Sequence, residues 1–326
     1  MSSVDDESVV RSVTRDIRVP PRLSEQAQRS LAAAPPVALG VAQLAVDDVD
    51  GWMARIAMVN AGIVAMYKPA MDSFDGRIGA ITVDGVNVVD VQPATATTDD
   101  VIVLDIHGGG FIYGTGDAAR AMACARSVEL GRRVWCPDYR TPPAAPHPAA
   151  LEDCLAVYRR LLQQYPAANI FVSAGSAGAS IALAMLMRGH AEGLSLPRGV
   201  LLVKPLVDLT RSGDSYCTNL GVDHTLAGLV EPVQMYANGV DLGDPLLSPL
   251  FAELPSPWPP TIIVGGTRDM LLSDAVRIHR KLRAKGADAD LHLWDAMPHA
   301  GFGGAPEDHE LSAELRTFVD ASLGKT

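Results

Sequence analysis

From about residue 76 to the end of the chain, short runs of consecutive apolar residues alternate with stretches of helical spacing. Residues 101–106, 133–136, 169–174, 199–207, 261–265 and 289–294 predict strands, most of them short apolar runs bounded by turn-forming residues. Between them, apolar positions every three to four residues predict helices over 118–130, 148–165, 177–188, 273–285 and 307–322, with Pro148 in the first turn of the second. Strands that are apolar throughout, rather than at alternate positions, need cover on both faces. The order of elements therefore predicts an α/β fold, a mostly parallel sheet with helices on both faces. Ahead of it, residues 79–83 and 86–91 are β-type runs joined by Asp84-Gly85, a two-residue hairpin signal.

Two segments break the pattern. Before about residue 76 the chain is helix-like but irregular, with Pro20-Pro21 and Pro35-Pro36 as breakers and a Met-rich apolar stretch from Trp52 to Met66. Between about residues 210 and 258 the alternation lapses into a region rich in Gly, Asp and Pro. The expected division is a helical cap segment over 1–75 and a catalytic domain over 76–326, with a cap insertion at about 210–258. Trp52, Met53, Met58, Met66 and Tyr67 are candidates for an apolar cap face, with ordinary cap-to-core packing as the alternative. No internal repeat appears, and the Ala-Pro cluster at 141–150 reads as a loop.

Composition narrows the partners. With 48% hydrophobic and 20% charged residues over 326 positions, the chain has the makings of a large core. A net charge of −11 opposes nucleic acid or an anionic membrane as the main partner, because a polyanion is repelled. The densest basic segment, 277–285, has helical spacing and reads as a solvated helix face. Cys124, Cys136, Cys154 and Cys217 form no Cys-x-x-Cys pair and are expected to be reduced. The acidic start from Met1 to Glu7 has no leader-like apolar run, and the longest apolar run, 181–187, stops at Arg188, far short of a membrane span. The expected compartment is the cytoplasm. Oligomeric state is left open, a homodimer included.

Chemistry concentrates at four places. Ser176 lies between a predicted strand and helix, in Ala174-Gly175-Ser176-Ala177-Gly178. A serine hydroxyl needs an exposed site beside a base, and a tight strand-to-helix turn with small neighbours supplies that exposure. Small-residue turns also arise purely for packing. His107-Gly108-Gly109-Gly110-Phe111 directly follows the strand at 101–106, and three glycines there are costly in backbone entropy unless their N–H groups must approach an anion closely. Asp269 and His299 each follow a later strand, in the order serine, acid, histidine. His299 is the expected base and Asp269 its orienting acid. Asp274 reads as a first-turn helix charge and Asp295 as a runner-up orienter. His107 and His147 are expected to position backbone, and the other histidines to fill surface or core roles. There is no His-Glu-x-x-His, no Gly-Lys-Ser/Thr phosphate loop and no dinucleotide fingerprint, so neither metal nor cofactor is expected.

Taken in order, His107-Gly108-Gly109-Gly110-Phe111, Asp138-Tyr139-Arg140, the Ser176 turn, Asp269-Met270-Leu271 and His299-Ala300-Gly301-Phe302 resemble the hormone-sensitive-lipase-like branch of the α/β-hydrolase superfamily. The resemblance implies a triad of Ser176, Asp269 and His299. It implies an oxyanion hole from the N–H groups of Gly109, Gly110 and Ala177, with Gly108 supporting the turn, and a helical cap that sets substrate choice. His107, Phe111, Leu271 and Phe302 are expected as supporting or pocket side chains. The chain departs from the family pattern at Ala174, where Gly is usual, at Gly175, where an acidic residue is commonest, and at Ala144, where Glu is frequent.

The leading expectation is a serine carboxylic-ester hydrolase for short- to medium-chain acyl esters. A lactone hydrolase would use the same residues, and a panel of linear esters and lactones separates the two. A non-catalytic small-ligand receptor on this fold is the rival from another class, distinguished by failure to react with a serine-directed phosphonate.

Overall fold

The computed structural model describes residues 16–35, 44–94, 100–226 and 228–324. Helices α1 (Glu25–Ala33) and α2 (Val49–Asp72) come first, followed by the hairpin strands β1 (Gly76–Val83) and β2 (Val86–Pro93). The alternating body contains β3 (Ile102–Ile106), α3 (Asp117–Leu130), β4 (Arg133–Pro137), α4 (Ala149–Gln164), β5 (Ile170–Gly175), α5 (Gly178–Ala191) and β6 (Gly199–Val203). After the short helices α6 (Ser215–Thr218) and α7 (Val230–Ala237) it resumes with β7 (Thr261–Gly266), α8 (Leu272–Ala284), β8 (Ala289–Trp294) and α9 (Pro306–Ser322). The hairpin closes at Asp84 and Gly85, both at positive φ, as a tight turn matched to strand twist requires.

All eight strands join one sheet in the order β1-β2-β4-β3-β5-β6-β7-β8. The β1–β2 and β2–β4 pairs are antiparallel and the remainder parallel. One face is covered by α4, α5 and α8 through residues such as Leu155, Met185 and Ile278, the other by α3 and α9 through Leu130, Leu315 and Val319. Each fully buried aliphatic side chain contributes about 1.5–3 kcal/mol relative to exposure. Chain order reverses at β3, with β4 on one side and β5 on the other, which opens a crevice beyond the carboxyl ends of β3 and β5. Ile106 pairs with Ala174, so the loops after these two strands leave the sheet side by side.

Two expectations need correction. The strand expected over 199–207 stops at Val203: Lys204 turns to φ 50°, Pro205 has no N–H, and Leu206 donates instead to the Ser176 carbonyl. The expected apolar cap face also divides. Trp52 is fully buried against Ile56, Ile112 and Met235, whereas Met53, Met58 and Met66 are 53%, 67% and 61% exposed and point outward. The readings on Met1 to Glu7 and on Pro36 lie outside the described residues. No described helix is long and apolar enough to cross a membrane.

Asp274 lies in the first turn of α8, as expected. It is also fully buried, its Oδ2 accepting from the Val207 and Asp208 N–H groups at 2.8 and 3.0 Å and lying 3.2 Å from the Tyr216 hydroxyl. Its Oδ1 has no partner among the described residues. Burial lifts the carboxyl to about 7, outweighing the N–H groups that favour the anion. A carboxyl raised on folding stabilises most below its unfolded value of 3.8 and loses that contribution as pH rises through about 7. The melting temperature of the wild type, measured against Asp274→Asn, should therefore fall steadily between those two pH values. A difference that stays flat over that window contradicts the assignment.

Candidate active site

Ser176 sits on the turn between β5 and α5 at φ 50°, a left-handed conformation that costs a non-glycine residue on the order of 1 kcal/mol or more. The surroundings hold it there. Its N–H donates to the Val203 carbonyl at 3.0 Å, and its carbonyl accepts from Leu206 at 3.1 Å and Ala179 at 3.0 Å. Close approach of α5 to β3 requires Gly178, where an added Cβ would lie 2.2 Å from the Ile106 carbonyl oxygen and 2.5 Å from that of His107. Ser176 thus stands just before the N-terminus of α5, where the helix dipole favours negative charge.

His299, on the loop after β8, brings Nε2 to 3.0 Å from Ser176 Oγ. Its Nδ1 is 3.1 Å from both carboxylate oxygens of Asp269, on the loop after β7. That geometry places the imidazole proton on Nδ1, donated to the carboxylate, and leaves Nε2 to accept from the serine hydroxyl. The histidine side chain is 11% exposed and the aspartate 1%. Asp295, the runner-up orienter, is exposed, and His299 Nδ1 is paired with Asp269 instead.

Sequence reasoning missed what holds the acid. Asn219 donates through Nδ2 to the Asp269 and Thr267 carbonyls at 2.8 and 3.1 Å, and the buried Asp223 accepts from the Met270 N–H at 3.0 Å. Both lie in the 210–258 insertion, at a spacing that matches no motif.

The glycine loop after β3 is built on side chains beneath it. His107 stacks on Tyr139 with ring centres 4.2 Å apart, and the Tyr139 hydroxyl donates to the His107 carbonyl at 2.8 Å. Burial pulls His107 below the usual histidine range, so the ring is neutral and its Nδ1–H donates to the Gly108 carbonyl at 2.7 Å. Ile112 and Tyr113 both donate to the Gly109 carbonyl, while the Gly109 and Gly110 N–H groups donate to no backbone acceptor among the described residues. Gly109 is at φ 120°, and a Cβ there would be 2.3 Å from the Tyr113 carbonyl oxygen. From α2, Asn60 accepts the Gly114 N–H at 2.8 Å and so ties the N-terminal segment to this loop.

Phe111, Leu271 and Phe302 are 1%, 0% and 2% exposed. Phe111 stacks on Tyr236 of α7 at 4.1 Å, and Phe302 packs on the α9 face with Met297 and Ala305. They support loops and present no surface to solvent. His147 donates its N–H to the Tyr236 carbonyl at 2.9 Å, tying the 141–148 loop to α7. Leu229 and Pro232 of the insertion lie over Gly110.

A strained serine at a β5–α5 turn, a histidine and aspartate at later strand ends and a glycine loop at the sheet reversal define a hydrolase of the α/β class. The family described as alpha/beta hydrolase fold matches residues 103–302. An acetyl-hydrolase of Streptomyces hygroscopicus is 31% identical over 76% of this chain and 84% of its own length. The crystal structure of an esterase superposes with a TM-score of 0.89 at 32% identity, covering 96% of this chain and 98% of that one. Another, of an esterase from the bacterial hormone-sensitive lipase family, gives 0.77 at 28% identity over 92% and 98%. The chain belongs to the hormone-sensitive-lipase-like branch of the α/β-hydrolase family, among the esterases and lipases.

Proposed function

We propose that the chain hydrolyses short- to medium-chain carboxylic esters through an acyl-enzyme on Ser176. The observation that carries this reading is the unbroken series from Ser176 Oγ to His299 Nε2 at 3.0 Å and from His299 Nδ1 to Asp269 at 3.1 Å, set beside the glycine loop. His299 takes the serine proton as Oγ attacks the ester carbonyl. The N–H groups of Gly109, Gly110 and Ala177 receive the oxyanion, and Asp269 stabilises the imidazolium. Collapse expels the alcohol, which takes the proton from His299. Water then gives a proton to His299 as it attacks the acyl-enzyme, releasing the acid and restoring the serine.

The preference for shorter acyl groups is supported by Leu229 and Pro232, which close over Gly110 beside the Phe111–Tyr236 stack. A cap drawn from residues 1–75 and 210–258 is supported by the meeting of Trp52 and Ile56 with Met235 over Ile112. Four free cysteines are in keeping with a reducing compartment such as the cytoplasm.

Treatment with a fluorophosphonate should add one group per chain, on the peptide carrying Ser176, in step with loss of p-nitrophenyl butyrate hydrolysis. Full labelling elsewhere, or full labelling with activity intact, would sink the assignment.

A further inference from the structure

Lys204 directly follows β6 at φ 50°, a conformation lysine adopts only at a cost, and its side chain runs inward until the residue is 8% exposed. The Nζ donates to the His299 carbonyl at 2.9 Å and to the Pro298 carbonyl at 3.3 Å. Its backbone N–H donates to Val264 on β7 at 2.7 Å. On either side of it, Val203 and Leu206 hold the N–H and carbonyl of Ser176. One short segment, 203–206, thus grips the serine through its backbone and the histidine loop through a side chain. Gly301, just past the histidine, is pinned from both sides: a Cβ there would lie 3.6 Å from Lys204 Nζ and 2.4 Å from Asp308 Oδ1.

The charges facing the ammonium come from four elements: Asp269 after β7, Asp308 on α9, Asp223 in the insertion and Glu129 on α3. Asp308 already accepts from the Phe302, Gly304 and Ala305 N–H groups. A buried ammonium on a strained backbone is an expensive way to fill space, since an apolar side chain of similar volume would do so without desolvating a charge. What the charge supplies is a strong, directed grip on two carbonyls of the histidine loop.

We propose that Lys204 is a positioning residue for His299: its ammonium, donated to the Pro298 and His299 carbonyls, fixes the imidazole at bonding distance from Ser176 Oγ. This rests on the triad proposed above. A displaced base slows chemistry without weakening substrate binding, so Lys204→Met should lose about 10- to 100-fold in kcat while KM stays within about threefold. Lys204→Gln, which keeps a donor but no charge, should recover part of that loss.

A pH profile adds a readout that a merely structural role would not move. Burial lowers the pH at which Lys204 discharges, against the pull of the four carboxylates. As pH rises, the wild type should lose kcat from below the ordinary lysine range, and Lys204→Gln should lack that limb. The measurements are kcat, KM and pH profiles for p-nitrophenyl butyrate on variants whose melting curves show them folded, with Ser176→Ala alongside. Folded Met and Gln variants with kcat within about twofold of wild type and the same alkaline limb overturn the role of Lys204. Activity persisting in Ser176→Ala would instead overturn the triad beneath it.

Discussion

Ser176→Ala is expected to lower kcat for p-nitrophenyl butyrate by about 10⁴- to 10⁶-fold, with KM little changed. The size follows from the geometry: His299 Nε2 has no hydroxyl to deprotonate once Oγ is gone, and only the glycine loop and binding contacts remain to favour water attack. A residual rate within about tenfold of wild type would mean that another group attacks the ester. The same position carries a second expectation, on stability. At φ 50° serine pays for a backbone conformation that glycine adopts freely, so Ser176→Gly should be equally inactive yet melt at a higher temperature than the wild type, by about 1 kcal/mol of added stability. A glycine variant that melts lower would show that the serine side chain itself holds the turn.

Gly178→Ala is expected to show the second largest effect. One methyl group placed 2.2 and 2.5 Å from the carbonyl oxygens of Ile106 and His107 cannot be absorbed by a side-chain rotation, because both neighbours are backbone. Either α5 moves off β3 or the start of the glycine loop moves off the serine. The expected cost is about 3 kcal/mol, with kcat reduced roughly 100-fold as the oxyanion donors and Ser176 lose register. Gly62→Ala is the matching control. It lies in α2, where an added Cβ meets nothing within 4 Å, so it should be neutral or stabilising by up to about 1 kcal/mol. Chemical denaturation and kcat on the same pair of variants check both halves. Similar behaviour of the two would contradict the close approach.

The two positions differ in how visible they are beforehand. Ser176 is legible because its chemistry needs small residues on both sides and a strand before it, all of which a single stretch displays. Gly178 belongs to that stretch as well, but the oxygen atoms that forbid a larger residue come from β3, about seventy positions earlier, and only the Ile106–Ala174 register brings them there. Strand 6 shows the limit from the other direction. Its apolar run continues through Pro205, Leu206 and Val207, so local pattern extends the strand, whereas the real end at Val203 is set by what the next residues must reach. Asp274 is legible as a charge at a helix start, and only the fold reveals that it is buried and accepts two N–H groups from the exit of β6.

By itself the sequence determined the alternating α/β body, the Asp84-Gly85 hairpin and the glycine loop. Each of these is written in residues close together in the chain, by side-chain period or by a turn that few residues can make. Tertiary structure alone decided that Asn219 and Asp223 hold the Asp269 loop, that Tyr139 stacks on His107 and bonds its carbonyl beneath the glycine loop, that Met53, Met58 and Met66 of α2 face outward, and that Lys204 reaches the histidine loop. Those are contacts between elements far apart in the chain, each made by a residue type with many other uses, so nothing in its neighbours announces the partner.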